Sequence, residues 1–258
     1  VQRVAAGIGV PTPKTYTDTP DTFPVIVKPR CGEKLGLKAE KRYARANNAA
    51  EFAAVYAKMK TYDNTPVVQA YIAGEGVGVC AVLDKDGNPA AVLCHRRVRE
   101  YPISGGPSTC CESFYDETLA DHALRLLRAL HFVGVAMVEF KGNPEDGYKL
   151  LEINPRVWGS FPMTLAAGSH FAEVWARAAA GERFAAPDTA YMRGKRMFFL
   201  LNDAAACLSL LKKGRIGAAL GGLRDLLSPH VCEALRRRGD PKPFRVYLKN
   251  ALKRGRHA

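Results

Sequence analysis

The stretches VGVAMVEFK at residues 133–141 and YKLLEINPR at residues 148–156 decide the fold. Both are rich in the aliphatic residues that fill buried strands, and the intervening NPEDG is a turn signal. The sequence therefore predicts a β-hairpin here.

The hairpin carries polar groups at regular spacing. Glu152, Asn154 and Arg156 are two residues apart, so they share one face of an extended strand, and the hairpin would bring Glu139 close to Glu152. Two carboxylates and an amide oxygen that converge are suited to Mg²⁺, which prefers oxygen ligands. The alternative interpretation is an ordinary solvent-facing strand.

The segments on either side predict an α+β arrangement, because several strands cluster between few helices. Strands are expected at 23–29, 66–72, 76–84 and 90–100, and helices at 48–61, 118–130, about 162–181, about 199–213 and about 215–227. The turn signal KDGN predicts that the strands at 76–84 and 90–100 pair in antiparallel fashion.

The pair VEF and EINPR resembles the ATP-grasp superfamily, over roughly residues 1 to 180. The resemblance implies two α+β subdomains that clasp ATP between antiparallel sheets. It also implies ATP and two Mg²⁺ ions as cofactors, with Glu139, Glu152 and Asn154 as metal ligands and Arg156 offsetting charge on the transferred phosphoryl group.

Four domains are expected on this basis. They are a remnant of a preceding domain or linker (1–22), a small lid subdomain (23–72), a catalytic subdomain (73–184) and a basic helical C-terminal extension (185–258). Relatives usually carry a further N-terminal domain, so we expect that domain, and a second ATP-binding lysine, to be missing here or supplied by a partner.

The resemblance also implies a nucleotide site. Lys28 in PVIVKP would contact the phosphates and adenine, and the loop from Cys31 to Leu37 would be a lid with Lys34 as a donor. In QAYIAGE, the residues implied around the base and ribose are Gln69, Tyr71, Ile72 and Glu75. An ordinary loop and a surface strand end are the alternatives.

Basic residues follow in CHRRVRE, where His95, Arg97 and Arg99 are expected on one strand face. They resemble the residues that hold phosphate or the acyl intermediate, which implies nucleotide contact for His95, a catalytic role for Arg97 and substrate contact for Arg99. SGGPST adds a turn with Ser104, Gly105, Gly106 and Ser108, assigned to the carboxylate or acyl phosphate. A solvated charged strand and a plain loop remain open.

The chain looks most like carboxylate-amine ligases related to the large chain of carbamoyl-phosphate synthase. We expect an ATP-dependent ligase that phosphorylates a small-molecule carboxylate, with Lys28, Arg97 and Arg156 as catalytic cations, and an amine that attacks the acyl phosphate. The alternatives are a non-catalytic nucleotide-binding module, or a membrane-surface or polyanion binder that acts through its basic tail. Oligomeric state stays open.

The net charge of +13 is concentrated at one end. Residues 193–258 hold 16 of the 38 Lys and Arg but only 4 of the 25 Asp and Glu. This segment could touch a membrane surface, whereas few aromatic residues lie among its cations, so nucleic acid is not expected. The seven cysteines form no CxxC pair and no apolar run reaches about 18 residues, so we expect reduced thiols, no structural zinc and a cytoplasmic protein.

Overall fold

The computed structural model describes residues 1–30, 35–37, 41–103, 105–236 and 239–254, with the side chains of 252–254 excepted. Its helices are α1 (Gln2–Gly7), α2 (Ala49–Lys60), α3 (Glu117–Ala129), α4 (Pro162–Ala166), α5 (Phe171–Ala179), α6 (Leu200–Lys212), α7 (Ile216–Leu227) and α8 (Lys242–Arg254). Its strands are β1 (Thr15–Tyr16), β2 (Val25–Lys28), β3 (Ala44–Ala46), β4 (Val67–Ala70), β5 (Glu75–Leu83), β6 (Pro89–Glu100), β7 (Ser108–Phe114), β8 (Gly134–Asn143), β9 (Gly147–Asn154), β10 (Arg196–Phe198) and β11 (Val231–Glu233). The α+β class is confirmed, and within the described ranges no helix is long and apolar enough to cross a bilayer.

The chain forms two compact units. The N-terminal unit consists of Gln2–Gly74 and Lys141–Leu151, and the larger unit consists of Glu75–Phe140 and the chain from Glu152 onward, with Val1. The N-terminal unit holds a four-stranded antiparallel sheet in the order β1-β4-β2-β3. Its small core includes Val25 and Val27 of β2 and Met59 of α2, because α2 packs against this sheet.

The larger unit is built on a seven-stranded sheet in the order β11-β10-β7-β6-β5-β8-β9. Strands β5, β6, β7 and β10 pair in antiparallel fashion, whereas β10 and β11 are parallel. The main core lies against this sheet, with Met163 of α4 and Phe171 of α5 fully buried. Helix α3 begins where the side chain of Asp116 accepts a hydrogen bond from the backbone N–H of Leu119 at 2.9 Å, which is a typical N-cap.

The structure divides the chain differently from the four domains expected. Residues 1–22 contribute α1 and β1 to the N-terminal unit, and the chain after residue 185 contributes β10 and β11 to the large sheet. These strands have two or three residues each, which is too short for the alternation of polar and apolar residues that reveals a strand in a sequence.

A cluster of ion pairs between side chains joins α6 and α7 to the large sheet. Arg99 of β6 is nearly buried and donates to Asp203 of α6 through Nε at 2.9 Å and Nη2 at 2.8 Å, and to Asp225 of α7 through Nη1 at 2.7 Å. Thr109 Oγ1 donates to Asp203 at 2.8 Å, and Arg196 Nη1 donates to Asp225 at 2.9 Å. Each carboxylate therefore has more than one donor.

We predict that Asp203→Ala lowers the free energy of unfolding by about 3–5 kcal/mol, because it leaves a buried guanidinium short of a partner. The control is Asp121→Ala, which removes an exposed pair with Arg125 on α3 and should cost less than about 1 kcal/mol. Urea denaturation of both variants measures the difference, and equal losses would contradict the prediction.

Candidate active site

The predicted metal ligands converge on the last two strands of the large sheet. Asn154 Nδ2 lies 3.0 Å from Glu139 Oε1 and 3.4 Å from Glu152 Oε1. The three residues belong to β8 and β9, and all three lie in the larger unit. The structure therefore brings together the three side chains that the hairpin pattern predicted to meet.

Glu139 is the most deeply placed of the three, with 13% of its side chain exposed. Burial raises the pKa of its carboxyl group above the usual range; Arg97 opposes this shift, Glu152 adds to it, and Asn154 opposes it. The net rise means that the protein groups around Glu139 do not fully compensate its negative charge.

Arg97 connects this carboxylate to the rest of the site. Its Nη2 donates to Glu139 Oε2, and its Nη1 lies 3.4 Å from the backbone oxygen of Gly106 and 3.9 Å from Glu100 Oε2. A Cβ at Gly76 would lie 3.1 Å from Cδ of Arg97. A side chain at position 76 of β5 would therefore crowd the Arg97 side chain, and glycine avoids this contact.

His95 lies on the same face and is almost fully buried. Its Nε2 is 2.9 Å from Ser160 Oγ, and its Nδ1 is 3.6 Å from Cys80 Sγ. Burial and the nearby positive charge of Arg97 lower the pKa of His95 to about 4, so the ring is neutral at pH 7. Both ring nitrogens have protein partners, which favours a packing role over contact with a nucleotide.

The prediction that Arg99 shares the face of His95 and Arg97 is wrong. Arg97 pairs with Cys111, but Arg99 pairs with the adjacent Cys110, because β6 contains an extra residue between them. Residues directly opposite one another share a face, and consecutive residues alternate. Arg99 therefore points to the opposite face, where Asp203 and Asp225 hold it.

The turn before β7 contributes backbone atoms to the site. Gly105 has a φ of 129°, and its N–H donates to the carbonyl of Pro102 at 3.1 Å. A Cβ at Gly106 would lie 2.3 Å from the carbonyl oxygen of Tyr101, so only glycine fits there. Ser108 Oγ donates to the carbonyl of Cys110 at 3.0 Å. Ser104 lies outside the described residues.

Arg156, also in the larger unit, is exposed just beyond β9. Its Nη1 donates to the carbonyl of Val157 at 3.1 Å.

Glu75, which was predicted to contact the ribose, is half-buried in β5. Its Oε1 lies 3.8 Å from Nη1 of Arg96.

The N-terminal unit holds most of the predicted nucleotide residues. Lys28 is the half-buried last residue of β2. Gln69 is buried in β4 and donates to Thr15 Oγ1 at 3.2 Å. Ile72, half-buried, follows β4. Lys34 and most of the predicted lid fall outside the described residues.

Tyr71 has a distinct environment within this unit. Its ring has the guanidinium of Arg45 at 4.2 Å and the ammonium of Lys141 at 5.3 Å from its centroid. Its backbone N–H donates to the carbonyl of Pro24 at 3.0 Å, so it already has a protein acceptor.

Comparison with known families decides the classification. Residues 63–196, just over half of the chain, match the family described as "ATP-grasp in the biosynthetic pathway with Ter operon". The chain belongs to this ATP-grasp family.

A curated relative of this ATP-grasp chain is a much larger protein. Acetyl-CoA carboxylase 1 of Oryza sativa subsp. japonica is 37% identical over an 86-residue alignment that covers 31% of this chain and 4% of the rice protein. The matched part is thus a small fraction of that relative.

Solved structures support the same fold. The biotin carboxylase domain of Hydrogenobacter thermophilus 2-oxoglutarate carboxylase, solved with MgADP, ADP and bicarbonate, has a TM-score of 0.60 at 14% identity, over 75% of this chain and 47% of that one. Campylobacter jejuni biotin carboxylase, solved as a complex with βγ-ATP, has a TM-score of 0.58 at 16% identity, over 75% and 48%. At these identities the likeness shows the fold, and this ATP-grasp chain spans about half of each of them.

The acidic hairpin of this ATP-grasp chain fits a hard divalent cation. Two carboxylates and one side-chain amide meet within hydrogen-bonding distance, and the raised pKa of Glu139 indicates charge that a cation would compensate. A half-turn of the Asn154 amide would present its oxygen in place of its nitrogen. Among the described residues there is no group of three or more His, Cys, Asp or Glu that could hold a metal ion.

Sequence reasoning missed the residues that make room for this site. Gly76 and Gly78 stand opposite Arg97 and His95, and Ser160 supports the His95 ring. The signal was present in GVGV at 76–79, where glycine alternates with valine on a strand that is otherwise rich in larger residues.

We predict that Gly78→Ala destabilises the protein by about 1–3 kcal/mol, because the added Cβ would lie 2.6 Å from Cε1 of His95 and 2.9 Å from Sδ of Met137, both buried. The control is Gly221→Ala on α7, where the new methyl meets nothing within 4 Å and should stabilise the helix by roughly 0.5–1 kcal/mol. Thermal unfolding compares the two variants. An unchanged stability of Gly78→Ala would show that the space beside Gly78 is not tightly packed.

We predict that Glu139→Gln gains stability relative to the parent protein as pH rises. A pKa raised by folding means that the folded state binds the proton more tightly than the unfolded state, so the parent loses stability as pH rises from about 4.3 through the raised pKa. Glutamine has no such proton, and the difference should grow towards neutral pH in metal-free buffer.

Glu182→Gln is the opposing control for this experiment. A hydrogen bond from Arg177 lowers the pKa of exposed Glu182, so its contribution is present above the unfolded pKa and is lost as pH falls. Denaturation curves over a pH series should therefore show differences of opposite sign, and a parallel response of the two variants would refute the assignment.

Proposed function

We propose that this chain is the ATP-binding and catalytic part of a ligase that phosphorylates a carboxylate and lets an amine attack the acyl phosphate. The observation that carries the proposal is the convergence of Glu139, Glu152 and Asn154, with Arg97 bound to the most buried carboxylate, in a member of the ATP-grasp family. The neighbours solved with MgADP, βγ-ATP and bicarbonate support a nucleotide, a divalent cation and a small carboxylate-like anion as the reactants and cofactors.

In the proposed reaction, a carboxylate oxygen attacks the γ-phosphorus of ATP in line with the bond to the β-phosphate oxygen, and ADP leaves. The amine nitrogen then attacks the acyl carbon, phosphate leaves with the electrons of the acyl–oxygen bond, and the nitrogen loses a proton. Glu139, Glu152 and Asn154 would hold two Mg²⁺ ions, which would neutralise negative charge on the phosphates. No protein nucleophile is needed.

Arg97 has the best-defined catalytic position. The Glu139 carboxylate and the Gly106 carbonyl fix its guanidinium, so its positive charge is oriented before any substrate arrives. A preorganised charge stabilises a developing negative charge without the cost of reorientation. Arg156, exposed next to the metal ligands in sequence, is the second cation of the larger unit in this proposal.

The remaining assignments stay proposals. In the N-terminal unit, Lys28 would contact the nucleotide phosphates, and Gln69, Tyr71 and Ile72 would surround the base. Gly105, Gly106 and Ser108 would bind the carboxylate. The proposed roles of Lys34, Ser104 and Glu75 rest on the sequence resemblance.

We predict that the full chain binds a non-hydrolysable ATP analogue in the presence of Mg²⁺, and that Glu152→Ala with Asn154→Ala weakens this binding by about 100-fold or more, because loss of even the outer partners of a metal site costs about 10–100-fold. Calorimetric titration with and without Mg²⁺ measures the effect.

The matched control is Glu173→Ala with Asn250→Ala, which removes the same residue types from exposed positions on α5 and α8. Magnesium-dependent binding that survives in the hairpin variant would overturn the metal assignment. Tight binding to the parent without ADP release, under a screen of carboxylates and amines, would favour a non-catalytic nucleotide-binding module.

A further inference from the structure

Helix α7 carries a stripe of large aliphatic side chains on its exposed side. Ile216, Leu220, Leu223 and Leu227 are 60%, 57%, 50% and 78% exposed. Their spacing of four, three and four residues places them on one face of the helix. A different set of positions, Ala219, Gly222 and Asp225, turns inward. The helix is therefore anchored on one face and apolar on another.

The neighbouring helix also exposes large aliphatic side chains. Leu208 and Leu211 of α6 are also exposed, and the two helices approach closely where Gly222 meets Cys207, since a Cβ at Gly222 would lie 2.2 Å from Sγ of Cys207. An open depression on this surface is lined by leucines of α7 together with Arg224 and Ser228. A stripe of exposed aliphatic side chains such as that of α7 is typical of an interaction site.

The exposed charges on α6 and α7 all have one sign. Residues 200–228 contain two acidic residues, Asp203 and Asp225, and both are buried in ion pairs with Arg99. The exposed charged residues of the same segment are Lys212, Lys213, Arg215 and Arg224. The outward surface of the α6–α7 hairpin thus combines aliphatic side chains with cations and presents no carboxylate.

Helix α8 adds to the same positive charge. Tyr247 Oη donates to Asn202 Oδ1 of α6 at 3.4 Å, so α8 packs beside the hairpin. Lys242, Arg245 and Lys249 on α8 are exposed. The cations therefore extend beyond the hairpin itself.

We propose that the exposed face of α7, with Leu208 and Leu211 of α6, docks on the surface of an anionic lipid bilayer. Helices that lie in the bilayer interface combine an aliphatic face with flanking Lys and Arg, and anionic headgroups attract those cations. This inference does not depend on the proposed ligase reaction, because none of its residues belongs to the metal or nucleotide sites.

Charge argues for a lipid surface over a second copy of the chain. Two copies paired through this face would bring the cations of each hairpin against those of the other, with no exposed carboxylate in residues 200–228 to offset them. Like charges opposed in this way disfavour association. An anionic bilayer supplies the opposite charge and an apolar interior at the same contact.

Co-sedimentation of the full chain with vesicles tests the proposal. We expect binding to an equal mixture of phosphatidylglycerol and phosphatidylcholine, and little binding to phosphatidylcholine alone. Binding should weaken as salt rises from about 0.1 M to about 1 M, because the Debye length falls from about 10 Å to about 3 Å.

Two variants separate the apolar contribution to vesicle binding from the electrostatic contribution. Leu223→Asp with Leu227→Asp should abolish binding, whereas Lys212→Gln with Lys213→Gln should weaken it by about five-fold for each cation removed. The control, Leu165→Asp, places the same charge at an exposed leucine of α4 and should bind like the parent. Circular dichroism and thermal unfolding confirm that each variant is folded.

The proposal is overturned if the folded parent fails to bind anionic vesicles, or if the leucine variant binds them as well as the parent does. A concentration-dependent dimer of the parent that the leucine variant loses, without vesicle binding, would assign the face to a second copy. Equal, salt-insensitive binding to neutral vesicles would overturn the role of charge.

Discussion

The bulge in β6 determines the position of two guanidinium groups. One extra residue between Arg97 and Arg99 places the first on the face of the acidic hairpin and the second on the face of α6 and α7. Without the extra residue both cations would share one face, and one of the two acidic clusters would lack its arginine. A local irregularity in one strand therefore supports both the candidate active site and the attachment of two helices.

Much of this arrangement could be predicted from the sequence. The acidic hairpin was readable because strand alternation is a strict period of two, so Glu152 and Asn154 had to share a face. The helices at 48–61, 118–130, 199–213 and 215–227 were found to within two residues at each end, because their apolar spacing or capping residues are clear. The match to the ATP-grasp family confirms the classification that VEF and EINPR indicated.

The remaining features depend on contacts between segments distant in sequence. The position of Arg99 follows from a bulge, and a bulge leaves no signature in a run such as CHRRVRE. The inward orientation of Asp203 and Asp225 depends on Arg99, which lies more than a hundred residues earlier in the chain. Strands β10 and β11 are held by pairing at the edge of the large sheet. In each case tertiary contacts, and not local propensity, decide the conformation.

The neutral imidazole of His95 links a buried thiol to a buried hydroxyl. Burial raises the pKa of the Cys80 thiol well above its usual value and lowers the pKa of His95 to about 4, so neither side chain is charged at pH 7. A neutral imidazole has one donor nitrogen and one acceptor nitrogen, and Cys80 Sγ and Ser160 Oγ lie at different nitrogens of this ring. The ring can therefore donate to only one of the two side chains and accept from the other. The hydrogen-bonding roles of the thiol and the hydroxyl are thus tied to each other, because moving the ring proton from one nitrogen to the other reverses both.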